Sequence, residues 1–149
     1  MNYKAKFVQI WVSFANQWGL NRTMAQIHAL LLTAEKPLNS DDIMQDLQIS
    51  RGNVNMNIHS LMEWGLVYRQ VIPGDRKDYF TAEKSMDKVA KLIIQERKRR
   101  TIVPLLADIK SLKNEQLSME NQPLSLALVE DIESVAQDIQ EKLSIYLKE

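Results

Sequence analysis

The sequence predicts a mainly helical α+β fold in which three helices lead into a two-stranded hairpin, with long helices on either side. Three observations predict it. Apolar residues recur at three- and four-residue steps through most of the chain. One stretch, "LVYRQVI", switches to strand-like alternation. Gly and Pro number only 4 each and fall mostly where those patterns change.

In the first segment Phe7, Ile10, Trp11, Phe14 and Trp18 form one helical stripe, and Gly19 ends it. So much aromatic area has to dock against something. Asn21 is placed to cap a second helix carrying Met24, Ile27, Leu30, Leu31 and Ala34, which "EKPLNS" breaks at Pro37. Ser40 is the expected N-cap of a short third helix. Asp41 and Asp42 stand in its first turn, where the helix dipole favours acids, and Ile43, Met44 and Leu47 face inward.

After "QI", Ser50 caps a fourth helix whose inner side is Val54, Ile58, Leu61 and Met62, with Asn57 leaning the same way, and Trp64-Gly65 closes it. "LVYRQVI", the turn "PGDRK" and "DYFT" then read as a hairpin. Helix formers run from Glu83 to about Glu115, with Pro104 marking a kink or a boundary between two helices. "SMENQPL" interrupts the pattern. Leu128, Ile132, Val135, Ile139, Leu143 and Tyr146 follow in a last helix at nearly heptad spacing, which suits a packing seam.

Composition narrows the function. With 149 residues, 45% hydrophobic and 26% charged, the chain can bury a core as one domain plus an oligomerisation element. It has no cysteine, which excludes disulfides, thiolate metal sites and cysteine nucleophiles and favours a cytoplasmic protein. The N-terminal stretch offers neither a signal-peptide core nor about 18 uninterrupted apolar residues, so no membrane partner is expected. Net charge is zero, but residues 1 to 103 hold 15 Lys/Arg against 10 Asp/Glu and residues 104 to 149 hold 4 against 9. The two parts therefore carry +5 and −5. A basic front and an acidic tail fit a nucleic-acid-binding part joined to a part that binds something else, and equally fit ordinary solvated faces.

The order helix, short helix, helix, hairpin is the pattern of a winged helix-turn-helix, and "LQIS" has the length of that motif's tight turn. The fold class is accordingly a winged helix-turn-helix with a two-stranded wing and flanking dimerisation helices. Opposite the apolar side of the fourth helix stand Gly52, Met56, His59 and Glu63. Arg51, Asn53, Asn55 and Ser60 occupy its flanks or first turn. Asn can bond both edge atoms of adenine, Arg those of guanine, and Ser the backbone phosphates. Gly52 costs roughly 1 kcal/mol of helix propensity relative to Ala, which close approach of another surface would explain, as would simple tolerance in a first turn. The turn holds Arg76 and Lys77 out from the core, where they can reach a phosphate or the minor groove, while Asp75 is expected to orient Arg76. The expected DNA-binding set is Ser40, Ser50, Arg51, Gly52, Asn53, Asn55, Met56, His59, Arg76 and Lys77.

"ISRGNVNMNIHSLMEWGLV", followed by "PGDRKDYF" and then "ERKRRTIVPLL", resembles the GbsR branch of the MarR-type winged helix-turn-helix regulators, over roughly residues 19 to 112. The resemblance implies a homodimeric transcriptional regulator that binds double-stranded DNA through the fourth helix and the wing, with terminal helices as the dimer interface. Ser50, Arg51, Asn53, Asn55 and Asn57 fall in the recognition-helix motif, and Arg76 and Lys77 in the wing motif. His59 stands where the family often has a basic residue. Some members of the branch are linked to choline and glycine betaine metabolism, and aromatic cages hold such ligands by cation-π contacts. Trp11, Phe14 and Trp18 have the spacing of an ordinary packing stripe instead, so an effector is left open and no ligand is assigned.

The implied organisation is an N-terminal packing or dimerisation helix over residues 1–20, a winged helix-turn-helix over 21–82 and C-terminal dimerisation helices over 83–149. The competing reading is a winged-helix protein-interaction module that works through its acidic C-terminal helices. An enzyme is not expected and no cofactor is. His28 lies on or beside an apolar helical face, His59 has no neighbouring ligand pattern, and neither a P-loop nor a GxGxxG occurs. Asp41 and Asp42 diverge by about 100° on a helix, so helix-start stabilisation explains them better than a metal. In "QERKRR" the cations spread around the helix axis and give a partly solvated face.

Overall fold

The computed structural model describes residues 2–118 and 125–148, which divide into two compact units, residues 1–93 and 94–149. The break expected through "SMENQPL" falls, from residue 119 to 124, outside the described residues.

The first unit begins with α1 (Tyr3–Gln17) and α2 (Arg22–Thr33), followed by the two-residue strand β1 (Leu38–Asn39), α3 (Ser40–Leu47) and α4 (Arg51–Glu63). The hairpin is β2 (Val67–Val71) and β3 (Asp78–Ala82), and α5 (Met86–Arg100) crosses the unit boundary. The sheet is antiparallel in the order β1-β3-β2, with Leu38 opposite Phe80 and Arg69 opposite Phe80 on the other side. Alternation predicts the hairpin but not β1, because two residues are too few to show a period.

Side chains at the helix starts satisfy the free backbone donors there. The Asn21 side chain accepts from Met24 N at 2.9 Å, and Ser50 Oγ from Asn53 N at 3.2 Å. At α3 the cap is Asn39 rather than Ser40. Asn39 Oδ1 accepts from Asp42 N at 2.9 Å while Asp42 Oδ2 accepts from Asn39 N at 3.0 Å, a reciprocal capping box that Ser40 cannot form one residue later. Gln48 ends α3 in the left-handed region at φ 55°, which turns the chain into α4.

The core gathers Ile27 and Leu31 of α2, Ile43 of α3, Val54, Ile58 and Leu61 of α4, Phe80 of β3, and Val89 and Ile93 of α5. Trp64, expected only as a helix stop, is buried in it. Asn57 is buried too, yet fully used: its Nδ2 donates to Asn53 O and Asn53 Oδ1 at 2.8 Å each, and its Oδ1 accepts from Asn21 Nδ2 at 3.1 Å. The residue that caps α2 is thus tied to the middle of α4. Lys84 fastens the other end of α2, donating to the carbonyls of Leu31, Leu32 and Ala34 at 2.7, 2.8 and 3.2 Å.

The aromatic stripe of α1 docks only in part. Trp11 is half-buried and donates from Nε1 to His28 Nδ1 at 2.9 Å, while Phe14 and Trp18 are 46% and 37% exposed. Successive ring centroids lie 6.2, 5.5 and 6.0 Å apart from Phe7 to Trp18, so the rings form a row along one helix face. His28 is completely buried, as its apolar helical face suggests. Burial, and then the Lys84 charge, lower its pKa from 6.5 to about 4. The imidazole is therefore neutral at pH 7. Because Nδ1 accepts, the proton sits on Nε2, which has no hydrogen-bond partner among the described residues.

In the second unit α6 (Ile102–Ser118) packs against α7 (Leu126–Leu147). Pro104 marks a boundary and not a kink, because it is the third residue of α6, where no intrahelical donor is needed. Val129 and Ala136 are the buried residues of α7. The heptad-like row predicted for this helix faces outward instead, with Leu128, Ile132, Val135 and Ile139 between 39 and 60% exposed. Glu96 Oε1 accepts from Arg99 and Arg100 at 2.5 and 2.7 Å, which holds the Glu96 carboxyl below its usual range. Much of the "QERKRR" charge is in this way paired internally.

Two stability measurements follow from these contacts. Asn57→Ala should lose about 1–3 kcal/mol in urea unfolding, because it strips partners from the buried network. Since the unfolded chain binds a proton at His28 below about pH 6.5 and the folded chain only near pH 4, stability should be complete above pH 6.5. It should fall towards pH 4 by on the order of 3 kcal/mol, and His28→Gln should flatten that dependence.

Candidate nucleic-acid interface

The turn between α3 and α4 leaves the first two turns of α4 open along one side. Arg51, Gly52, Asn55, Met56 and His59 are exposed, Met56 at 64%. An exposed methionine in the middle of a helix on a compact domain offers an apolar contact, of the kind a thymine methyl makes in a major groove. Asn53 differs from the others. It is half-buried, and its Oδ1 already accepts from Asn57, so its role is tied to the inside of the helix. Asn55 keeps its amide at the surface, where its Oδ1 meets only a long contact from Ser40 Oγ at 3.4 Å.

Gly52 has no heavy atom within 4 Å of where a Cβ would stand, and its φ lies outside the left-handed region. Nothing among the described residues requires glycine there. The functional explanation, close approach of an outside surface, therefore gains weight over a packing explanation.

The wing turn is held by Asp75. Its Oδ1 accepts from Lys77 N at 2.9 Å and its Oδ2 from the Tyr79 hydroxyl at 2.7 Å, which lowers the Asp75 pKa, the Lys77 amide contributing first. Asp75 meets Arg76 through that residue's backbone amide, a smaller contribution to the same brace. Gly74 supplies the left-handed φ of 85° that the turn demands. Arg76 is exposed and makes no ion pair among the described residues.

Between wing and helix lies a cleft of about 600 Å³ lined by Ser40, Asp41, Arg51, Asn55, His59, Arg69 and Lys77, among others. Six of the ten residues expected from sequence lie along it or at the wing tip beside it: Ser40, Arg51, Asn55, His59, Lys77 and Arg76. Gly52 and Met56 share the open side of α4, while Ser50 and Asn53 are bound into the cap and the buried network. His59 Nε2 approaches Glu63 Oε1 at 2.7 Å, an ion pair only when the imidazole is protonated. Sequence reasoning misses Arg69, which stands 3.7 Å from Asp78 across the hairpin, and it assigns Asp41 a different task. Asp41 does not cap α3. Its Oδ1 accepts from Arg51 Nη2 at 2.5 Å and its Oδ2 from Lys77 Nζ at 2.9 Å. Those two hydrogen bonds, Lys77 first, hold the Asp41 pKa down, and Asp41 in turn raises that of Lys77. No local signal could reveal this, since the partners lie 10 and 36 residues away.

An exposed helix set on a helix-turn-helix scaffold beside a basic hairpin defines a winged helix-turn-helix protein. The model of the MarR family matches residues 18–78, the span from the end of α1 to the start of β3, so this segment is similar to that family. Members of that family are transcription regulators and not enzymes. The whole chain is similar in fold to the crystal structure of a transcriptional regulator, with 17% identity, a TM-score of 0.71, and coverage of 99% of this chain and 97% of that one. More distant similarities are MepR, a transcription regulator of the Staphylococcus aureus multidrug efflux pump MepA (15% identity, 96% and 99% covered, TM-score 0.47), and the transcriptional regulator SlyA (18%, 95% and 94%, TM-score 0.41). No curated protein matches the sequence. Among the described residues, no helix is long and apolar enough to cross a membrane.

Gly52→Ala separates the two explanations of that glycine. Thermal unfolding should show stabilisation by up to about 1 kcal/mol, while binding of duplex DNA, read by fluorescence anisotropy, should weaken. Unchanged binding would reduce Gly52 to an ordinary first-turn residue.

Proposed function

We propose that this chain is a sequence-specific DNA-binding transcription regulator of the GbsR branch, acting in the cytoplasm as a homodimer. The observation that carries the reading is the joint exposure of Arg51, Gly52, Asn55 and Met56 on α4 with Arg76 and Lys77 on the wing, on a segment that matches the MarR family. Helix α4 enters the major groove, where Asn55 and Arg51 face base edges and Met56 offers an apolar contact. The wing, about residues 73–78, lies on the flanking backbone or minor groove, where Arg76 and Lys77 supply charge. Ser40 and Ser50 stand near enough to the helix starts to reach phosphates. The branch assignment rests on the order of "ISRGNVNMNIHSLMEWGLV", "PGDRKDYF" and "ERKRRTIVPLL".

Dimerisation is supported inside the second unit by the outward row of Leu128, Ile132, Val135 and Ile139. Ile132, Val135 and Ile139 help to line an apolar hollow of about 270 Å³ with Ile102 and Leu105. An apolar row along a helix of this length is a surface that a second copy would cover.

On duplex DNA from the region upstream of its own gene, Arg76→Ala should weaken binding to all sequences alike and reduce the slope of log affinity against log salt by about 0.9. Asn55→Ala should instead relax discrimination at one position by about 1–3 kcal/mol. Sedimentation should find a dimer at micromolar concentration and a monomer after Ile132→Asp with Val135→Asp. A wild-type monomer would count against the homodimer.

A further inference from the structure

Asp41 is a surface carboxylate whose contacts neither folding nor capping explains. Capping of α3 belongs to Asn39 and Asp42. The side chains of Asp41, Arg51 and Lys77 are 44, 58 and 56% exposed, and ion pairs so exposed contribute little to stability. Yet Asp41 joins three separate elements: the first turn of α3, the first residue of α4 and the wing turn. Both its oxygens are spent on cations that line the reading cleft. The trio carries +1 where Arg51 and Lys77 alone would carry +2. A carboxylate on a face that receives phosphates opposes binding; its place in the first turn of α3 favours the helix start, but that does not require its bonds to both cations.

We propose that Asp41 is a specificity-determining residue: its carboxylate occupies the Arg51–Lys77 pair in the free protein, and a DNA backbone phosphate must displace it. This rests on the DNA-binding reading above. Non-specific binding consists almost entirely of cation–phosphate attraction, so it bears the full cost of displacing Asp41. At the proper site Arg51 faces a base edge, so a phosphate has to take only Lys77 from Asp41, and the cost is smaller there than in a non-specific complex, where phosphates take both cations. Asp41 therefore widens the gap between the correct duplex and all others. The same bridge sets the wing against the start of α4 before DNA arrives, which limits how the two can approach a groove.

The test uses the full chain, wild type and Asp41→Asn, in anisotropy titrations over a series of KCl concentrations. The probes are the upstream duplex and a random duplex of the same length. Asp41→Asn should bind the random duplex several-fold more tightly, with a slope against log salt steeper by about 0.9 for each additional phosphate that Arg51 or Lys77 neutralises. The upstream duplex should tighten less, so the ratio between the two falls. Asp41→Glu should keep the wild-type slope and ratio. An unchanged or shallower slope with unchanged random-duplex affinity for Asp41→Asn would overturn the proposal. So would an Asp41→Asn chain that no longer unfolds cooperatively on heating, because the bridge would then be structural. If wild type itself shows no preference for the upstream duplex, the regulator reading fails. If that preference is present and Asp41→Asn leaves it intact, only the role of Asp41 fails.

Discussion

The candidate DNA-binding surface depends on a polar chain, Asn21 to Asn57 to Asn53, whose middle member Asn57 is buried in an otherwise apolar contact between α2 and α4. Apolar packing alone is tolerant of small rotations, since Val54, Ile58 and Leu61 would remain buried through many of them. A buried amide is not tolerant, because a rotation that breaks its hydrogen bonds leaves donors and acceptors unpaired away from water. Asn57 therefore fixes the rotation of α4 about its own axis. That rotation decides which side chains look outward. With Asn57 and Asn53 tied inward, Gly52, Asn55, Met56 and His59 are left on the open side.

The wing is set by a second group of polar contacts, of a different kind. Asp75 braces the turn from within, through the Lys77 amide and the Tyr79 hydroxyl, and β3 is held on both sides by β1 and β2. The Lys77 ammonium is left free to leave the turn and meet Asp41. Backbone geometry and cation placement are thus handled by separate carboxylates. The wing can exchange an ion-pair partner without losing its shape.

Much of this is legible in the sequence, and the exceptions have physical causes. The helices of the first unit follow from apolar periodicity, and their caps at Asn21 and Ser50 from side chains that can reach the free amides of a first turn. Asn57 stands apart from Asn55 because its wheel position coincides with Val54 and Ile58. The cap of α3 lies one residue before the predicted Ser40, since Ser40 and Asn39 are both competent caps and only the reciprocal bond with Asp42 chooses between them. The α7 row has the spacing of an inner seam, although the partner helix within the unit takes Val129 and Ala136. Periodicity locates an apolar stripe but does not say which surface covers it. Asp41 is least legible, because its contacts join residues that only the tertiary fold brings together.

The most direct measurement is a chemical footprint of the full chain on the duplex upstream of its own gene, using guanine and adenine methylation to report the major and minor grooves separately. Two major-groove protections, related by approximate two-fold symmetry and spaced by one helical turn or a multiple of it, are predicted, each flanked by a minor-groove or backbone protection from the wing. Protection that is absent, indifferent to sequence, or confined to a single unpaired site would contradict a dimer reading DNA through α4.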